Sequence, residues 1–369
     1  MWMILFLALP ILALVYVGWH LYVLLPLAPV VRWLIIVLGA GSFLLLMLDL
    51  TGKLDTMPLG LARVLYQIGT SSIIVLLYMV MLFLMLDIGR LTGIVPRHLL
   101  YQSWPMTVAV AGILLAIFVY GNIHYYNKVR VPIDIISAKP LPKDYKVVMA
   151  SDLHLGYHNP RKELARWVDM INGEQPDLIL IAGDIIDISV RPLLEEGMAE
   201  EFCRLSAPVY ACLGNHEYYA GTPEARQFYK DASINLLIDE VAIVDSAIVI
   251  IGRDDRTNRR RTSLPSLVAK ATAAATDAQR PLFTLLLDHQ PYHLEQTERM
   301  NIDFQLSGHT HRGQVWPISW ITDAIYECSW GCHRRGSTQY YISSGLGIWG
   351  GKYRIGTQSE YVVATIKHN

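Results

Sequence analysis

The distribution of charge along the chain constrains its fold more than any other feature. Of the 31 Lys+Arg and 32 Asp+Glu in 369 residues, only Arg32, Asp49, Lys53, Asp55, Arg63, Asp87, Arg90 and Arg97 fall before residue 128. The stretches 1–31, 33–48, 64–86 and 99–127 carry none, and each approaches or exceeds the roughly 20 apolar residues that cross a hydrocarbon core. Four such runs in succession exceed the helix lengths of soluble cores, so the spacing predicts four transmembrane helices near 2–24, 31–50, 65–87 and 104–124. A cleaved signal peptide would need a basic leading segment and a short apolar core, whereas Met1-Trp2-Met3 offers no basic side chain and the run is too long. Tyr101, Trp104, Tyr120, Tyr125 and Tyr126 bracket the last segment as an interfacial aromatic belt does. His20, Asp49 and Asp87 fall near segment ends, where water reaches them, and no paired ionisable groups mark a transport path at mid-depth. Lys53, Arg63, Lys128, Arg130 and Lys139 on the face shared with the C-terminal half stand against Arg32, Arg90 and Arg97 on the other. That margin leans cytoplasmic but is too narrow to assign a side.

From Lys128 onward the charge density is that of a soluble domain. Pro132, Pro140 and Pro142 mark residues 128–144 as a linker, leaving 145–369 as one domain of ordinary size. Apolar runs predict strands at 145–150, 177–182, 208–213, 282–287, 302–306, 338–343 and 360–366, with an antiparallel pair within 236–252. Helical patterns cover 161–172, 192–205 and 264–275, the last running into an Ala-rich stretch, 269–278. The class is α/β. A net charge of −1 excludes a nucleic-acid partner, which needs a concentrated basic face. The four cysteines are too few for a disulfide framework. Cys203 and Cys212 sit in apolar settings that predict core positions, and Cys328 and Cys332 would bridge only in an oxidising compartment.

The polar residues carry more information, because they fall where strands end. Asp152-x-His154 follows the first strand, Gly183-Asp184-x-x-Asp187 the second and Gly214-Asn215-His216-Glu217 the third; His289 and Gly308-His309-Thr310-His311 follow two more. In open α/β sheets, ligand sites gather at the carboxyl ends of strands. In extended chain, residues i and i+2 share a side, which would bring Asp152 to His154 and His309 to His311. Glycines before Asp184, Asn215 and His309 would let the backbone turn sharply. Imidazoles, carboxylates and one amide oxygen together suit Mn, Fe, Zn or Co and are poor for Ca or Cu(I).

The ordered set D-x-H, G-D-x-x-D, G-N-H-E, H and G-H-x-H, spread over 145–366, resembles the calcineurin-like metallophosphoesterase superfamily. Ser343-Ser344-Gly345-Leu346-Gly347 and Tyr353-Arg354-Ile355-Gly356 are similar to its membrane-associated bacterial branch. The resemblance implies a β-sandwich flanked by helices (the metallo-dependent phosphatase fold) with two divalent metal ions, Mn favoured. Asp152, His154, Asp184 and His311 would hold one ion; Asp184, as a bridge, with Asn215, His289 and His309 would hold the other. His216 would be a catalytic non-ligand, giving a proton or hydrogen bond to the phosphate or leaving oxygen. Asp187 and Glu217 would steady ligands from behind. Asp288, out of pattern, either orients His289 or points away. Tyr157, His158 and Arg312 flank the motifs, and Arg259-Arg260-Arg261 forms a loop that is solvated or touches anionic lipid.

The activity so implied is hydrolysis of phosphate mono- or diesters by a metal-activated hydroxide. The enzyme would be an integral protein of the bacterial cytoplasmic membrane, its partners membrane lipids and a phosphate-ester substrate, among them lipid-linked phosphate or pyrophosphate. Two other readings stand beside it: a hydrolase of soluble phosphodiesters merely tethered to the membrane, and a non-catalytic metal-binding membrane protein.

Overall fold

The computed structural model describes residues 2–275 and 281–368. They divide into two units, one holding residues up to Ile123 with Gly350–Lys352, the other holding His124–Trp349 and the chain from Tyr353 on.

The first unit is helical: α1 (Trp2–Leu24), α2 (Pro29–Leu44), α3 (Leu46–Leu50), α4 (Leu59–Leu91) and most of α5 (Trp104–Tyr126). Pro29 opens α2, where a missing N–H is harmless. Val17, Leu24, Leu76, Phe83 and Val110 pack inside, while Leu9, Val30, Leu91 and Ile94 are among many large apolar side chains left exposed. So much exposed apolar surface suits lipid better than water. Among the described residues three helical stretches, Pro29–Leu48, Leu59–Leu91 and Trp104–Tyr126, are long and apolar enough to cross a membrane. Against the expected four, the described residues give three, the described apolar part of α1 being Ala8–Leu24. Asp87 also departs from expectation. It is not simply a solvated end, since its Oδ2 accepts from the Tyr16 hydroxyl at 2.8 Å and lies 3.1 Å from His20 Nε2.

The second unit stacks two six-stranded sheets. Their strand orders are β1-β12-β2-β3-β4-β5 and β10-β11-β9-β8-β7-β6. The first comprises β1 (Val129–Ser137), β2 (Tyr145–Ala150), β3 (Leu178–Ala182), β4 (Val209–Cys212), β5 (Asn235–Leu236) and β12 (Glu360–His368). The second comprises β6 (Glu240–Val244), β7 (Ile248–Gly252), β8 (Phe283–Leu287), β9 (Phe304–Ser307), β10 (Gly331–Arg335) and β11 (Thr338–Ile342). Val147, Met149, Leu178 and Leu180 of one sheet meet Ile248, Ile250, Leu285 and Phe304 of the other. The reverse face of the first sheet packs on Trp167 and Ile171 of α6 (Arg161–Gly173) and on Phe228. On the second sheet, Val249, Ile251 and Leu286 meet Leu264 and Leu267 of α11 (Leu264–Ala274). Strands buried on both faces read as unbroken apolar runs, and each such side chain contributes about 1.5–3 kcal/mol.

Three expectations change. Residues 129–137 of the expected linker form β1, paired parallel to β12 at the sheet edge. Val131, Ile133 and Ile135 turn toward the core while Arg130, Pro132 and Asp134 face out, and an edge is where a strand tolerates proline. The expected helix 192–205 is split into α7 (Arg191–Glu195) and α8 (Met198–Phe202) at Gly197, whose φ is 63°. Cys203 is exposed rather than core, whereas Cys212 is buried, and Cys328 and Cys332 are free thiols. The end of the Ala-rich stretch, from 276, lies outside the described residues.

At the start of this unit, the Tyr125 hydroxyl sits 2.8 Å from Asn159 Oδ1 and 2.7 Å from Glu163 Oε1, fully buried. Asn159 in turn donates from Nδ2 to the carbonyls of Leu153 and His154, both at 2.9 Å.

Candidate metal centre

The polar clusters do lie at strand ends, but the backbone that presents them is not extended. Asp152, His154, Asp184, His309 and His311 have φ of 53°, 44°, 52°, 70° and 47°. This is the left-handed region, which costs a residue with a Cβ roughly 1–2 kcal/mol. Asp and His tolerate it better than most. The i, i+2 reasoning from strand geometry therefore reached the right neighbours for the wrong cause: a left-handed turn, not pleat alternation, aims these side chains. Backbone hydrogen bonds between loops hold the strain. Asp152 N–H donates to Gly183 O (3.1 Å), His154 N–H to Asp184 O (3.0 Å), Gly308 N–H to His289 O (2.9 Å) and Gly347 N–H to Asp152 O (2.9 Å).

Two of the glycines serve closeness, not turning. A Cβ on Gly214 would lie 2.1 Å from Asp184 Oδ1, and one on Gly308 2.3 Å from Asp152 Oδ2. Any side chain there would displace a carboxylate.

The seven expected ligand residues and His216 come together. Potential ligand atoms of Asp152, His154 and His311, of His154, Asp184 and His216, and of Asp184, His289 and His309 lie within 4.8 Å of one another in each set. Asn215 Oδ1 is 2.8 Å from His309 Nδ1. His154 Nε2 and His311 Nε2 face each other at 3.1 Å. The arrangement around His289 fits a cation. Its Nδ1 lies 2.7 Å from the Ala182 carbonyl, which can only accept, so the proton sits on Nδ1. Neutral His289 would then aim a lone pair from Nε2 at Asp184 Oδ2, 3.1 Å away. Nε2 is buried and makes no hydrogen bond. Two electron pairs face each other at that distance stably only with a proton or a metal ion between them, and a ring N–H spent on a backbone carbonyl is the usual support of a ligating histidine.

The electrostatics follow from burial and from which groups ring which. Burial opposes ionisation of Asp184, but His289 and His216 outweigh it and hold its carboxyl well below the usual range. Burial, together with the charge of Asp184, raises Asp152, against a pull from His289. Burial alone would lower His289, yet Asp184 drives it well above its ordinary value. Burial and the neighbouring His289 bring His309 down to about 4, and burial with His154 lowers His311. His216 is desolvated too, but Asp184 and Asp187 push it up to about 9.

Behind these groups stands a second layer. Asp187 Oδ1 lies 3.3 Å from His154 Nδ1 and 3.2 Å from His216 Nδ1, and the Asp187 backbone carbonyl is the hydrogen-bond partner of His216 Nδ1 at 3.2 Å. Glu217 accepts from the N–H groups of Asp184 (3.2 Å), Gly214 (2.7 Å) and Ile186 (3.0 Å) and from the Tyr229 hydroxyl (2.9 Å), tying two loops together. Asp288 points away from His289, toward Arg253 and Arg261 at 3.0 Å each. Tyr157 and His158 are buried, and Arg312 rests on the Trp330 ring at 4.1 Å.

Sequence reasoning missed the part played by Arg354. Fully buried, it donates to the carbonyls of Ser344 (2.5 Å), His311 (2.8 Å) and Gly347 (3.2 Å), and burial lowers its guanidinium to about 10. It clamps the loop that leans on Asp152. The one signal was its place in the Tyr353–Gly356 motif.

The family model for calcineurin-like phosphoesterases matches residues 145–313. An uncharacterized metallophosphoesterase of Campylobacter jejuni, Cj0846, is 30% identical over 266 residues, 69% of this chain and 68% of that one. The chain belongs to the calcineurin-like phosphoesterase family. A Helicobacter pylori metallophosphoesterase is 30% identical over 222 residues, with 60% of this chain and 59% of that protein covered. A zebrafish (Danio rerio) transmembrane protein with a metallophosphoesterase domain is 30% identical over 282 residues, 72% of this chain and 63% of the relative. The chain thus spans about three-fifths to two-thirds of the length of these relatives. The family match includes every residue of the candidate centre from Asp152 to His311 and ends before Arg354, β11 and β12.

Proposed function

We propose that the chain is a membrane-anchored, dinuclear-metal phosphoesterase that hydrolyses a phosphate mono- or diester presented at the membrane surface, with lipid-linked phosphate or pyrophosphate as the substrate class. The observation that carries the reading is Asp184, whose carboxylate stands within 4.8 Å of ligand atoms of His154 and His216 on one side and of His289 and His309 on the other. Asp152, His154 and His311 would complete one position, and Asn215, His289 and His309 the other. Divalent ions there, Mn foremost, supply Lewis acidity toward phosphoryl oxygens and toward the attacking water.

The protein's own residues do the rest. The Asp187 backbone carbonyl takes Nδ1 of His216 at 3.2 Å and so leaves Nε2 to hold a proton toward the leaving oxygen, the work of a general acid. The His216 N–H donates to Asp184 Oδ1 at 2.9 Å, fixing the distance between proton donor and shared carboxylate. Two observations support a substrate at the membrane surface. Only two residues separate α5 from β1. Directly after His311, α13 (Ile318–Ile325) leaves Trp320, Ile321 and Ile325 exposed by 64%, 53% and 61%, a composition suited to an interface.

The test uses the full-length protein in detergent, assayed on aryl phosphate mono- and diesters with and without Mn, and then on a prenyl phosphate. Metal-dependent release of phosphate or alcohol is expected. Absence of turnover with any divalent ion, in protein shown to be metal-loaded, would overturn the enzymatic reading, and preference for the soluble esters would overturn the lipid one.

A further inference from the structure

Between β7 and α11 the chain carries five arginines, at 253, 256, 259, 260 and 261. The carboxylates around them are already engaged. Asp288 takes Arg253 on one oxygen and Arg261 on the other. Asp254 accepts from the Tyr218 hydroxyl (2.7 Å) and Asn258 Nδ2 (2.8 Å). Asp255 accepts from Gln290 Nε2 on both oxygens, at 3.0 and 2.9 Å, and from the N–H and hydroxyl of Thr257. Gln290 is the residue after His289, so the loop is pinned beside the metal centre on either side of Arg256.

Arg256 itself meets no carboxylate. Its guanidinium lies over the Tyr292 ring, 4.4 Å from the centroid. Its Nη1 is buried without a hydrogen-bond partner. Tyr292 donates its hydroxyl to that of Tyr326 at 2.9 Å, and the Tyr326 ring is 6.5 Å from the His309 ring. A guanidinium stays charged at any physiological pH and presents a rigid fork matched to phosphate or carboxylate oxygens. Leaving one of its buried N–H groups unmade is unfavourable, and an aromatic face satisfies the charge only in part. Pinned backbone, a stacked ring and an unspent donor are the marks of a recognition group more than of a structural one.

We propose that Arg256, on its Tyr292–Tyr326 platform, binds a second anionic group of the substrate, a non-scissile phosphate, on the His309 side of the centre. This rests on the phosphoesterase reading and narrows it to substrates bearing two phosphates, whether a soluble diphosphate or a lipid-borne one.

Calorimetric titration of the metal-loaded, full-length protein tests it without requiring turnover. The probes are inorganic phosphate, methylenediphosphonate and a prenyl diphosphate in detergent. Arg256→Gln is expected to weaken both two-phosphate probes by about 10–100-fold, to leave phosphate within about twofold, and to keep the full metal content; Arg256→Lys should recover part of the loss. Equal losses for the two-phosphate probes mean that Arg256 reads the diphosphate whatever carries it, and a loss confined to the prenyl probe assigns it to a lipid-borne source. Equal weakening of phosphate and the two-phosphate probes, no weakening of either two-phosphate probe, or loss of metal would overturn the proposal. Failure of the activity reading is separate: wild-type protein that binds the diphosphonate through Arg256 yet hydrolyses nothing would remove the enzyme and keep the subsite.

Discussion

The two halves of the candidate centre are built from similar parts and differ in how charge is placed. Around Asp184, His289 is close enough that carboxylate and imidazole charge each other: the acid is held low and the base high. Around Asp152, where His311 Nε2 stands 3.5 Å and His154 Nε2 4.0 Å away, burial and the charge of Asp184 prevail and its carboxyl rises, while His311 falls. Equal ligand chemistry therefore does not make equal sites. What decides is which histidines beside the carboxylate carry charge, and Asp184, held low against His289 and His216, should dominate both positions.

Substitution ranks the difference. Asp184→Asn is expected to strip both ions and bring turnover below detection, read by elemental analysis after dialysis; a variant that kept one tightly held ion would break the comparison. Asp152→Asn should lose only the ion of its own half and most activity, and loss of both ions would mean that the halves are not separable. His216→Ala should retain both ions while kcat drops by about 10²–10⁴, and a metal-free preparation would make it a ligand instead. Asp187→Asn, acting through the rings of His154 and His216, should cost about 10–100-fold in metal affinity or activity, with normal rates regained at saturating metal if orientation is its only part.

Acid sharpens the contrast in a different way. His289 carries a raised proton in the metal-free protein, so an ion entering that half must expel it. Affinity there should fall about tenfold for each pH unit below the raised value and level off above it. His311, held low, has no proton to lose near neutral pH. Calorimetry in buffers of different ionisation enthalpy should therefore find proton release from His289 on loading its half and none from His311; equal release from both imidazoles would contradict the electrostatic picture.

Much of the fold was legible because burial on both faces leaves a plain signal. Runs such as Leu178–Ala182 and Phe283–Leu287 are strands within a residue or two of expectation. That the candidate residues would gather in one place was legible for a related reason: polar residues directly after such runs have few structural uses. What could not be read is tertiary. The hand of the backbone at Asp152 and His309 depends on hydrogen bonds to distant loops, and the need for Gly214 depends on where Asp184 comes to rest. β1 was hidden by Pro132, although its alternation of Val, Ile and polar residues was present. Arg256 stood in view among five arginines, but that it, unlike the exposed Arg259 and Arg260, keeps a buried donor unmade is decided only by Asp288, Asp254 and Asp255 being taken.

The Tyr125 hydroxyl, set between Asn159 and Glu163, has a bearing on how this molecule can be dissected. Asn159 holds the carbonyls on which the His154 turn hangs, so the final residues of α5 act as the first residues of the catalytic body. A soluble fragment cut at the apparent end of the helix would discard that hydroxyl, and one cut at Val131 would discard Val129 and Arg130 of the edge strand as well. Such a fragment would confound removal of the anchor with damage to the centre, and weak activity in it would say nothing about lipid. Exchanging the helices for another anchor while retaining His124 onward would separate the two, since the seam between the modules runs through the last turn of the helix and not after it.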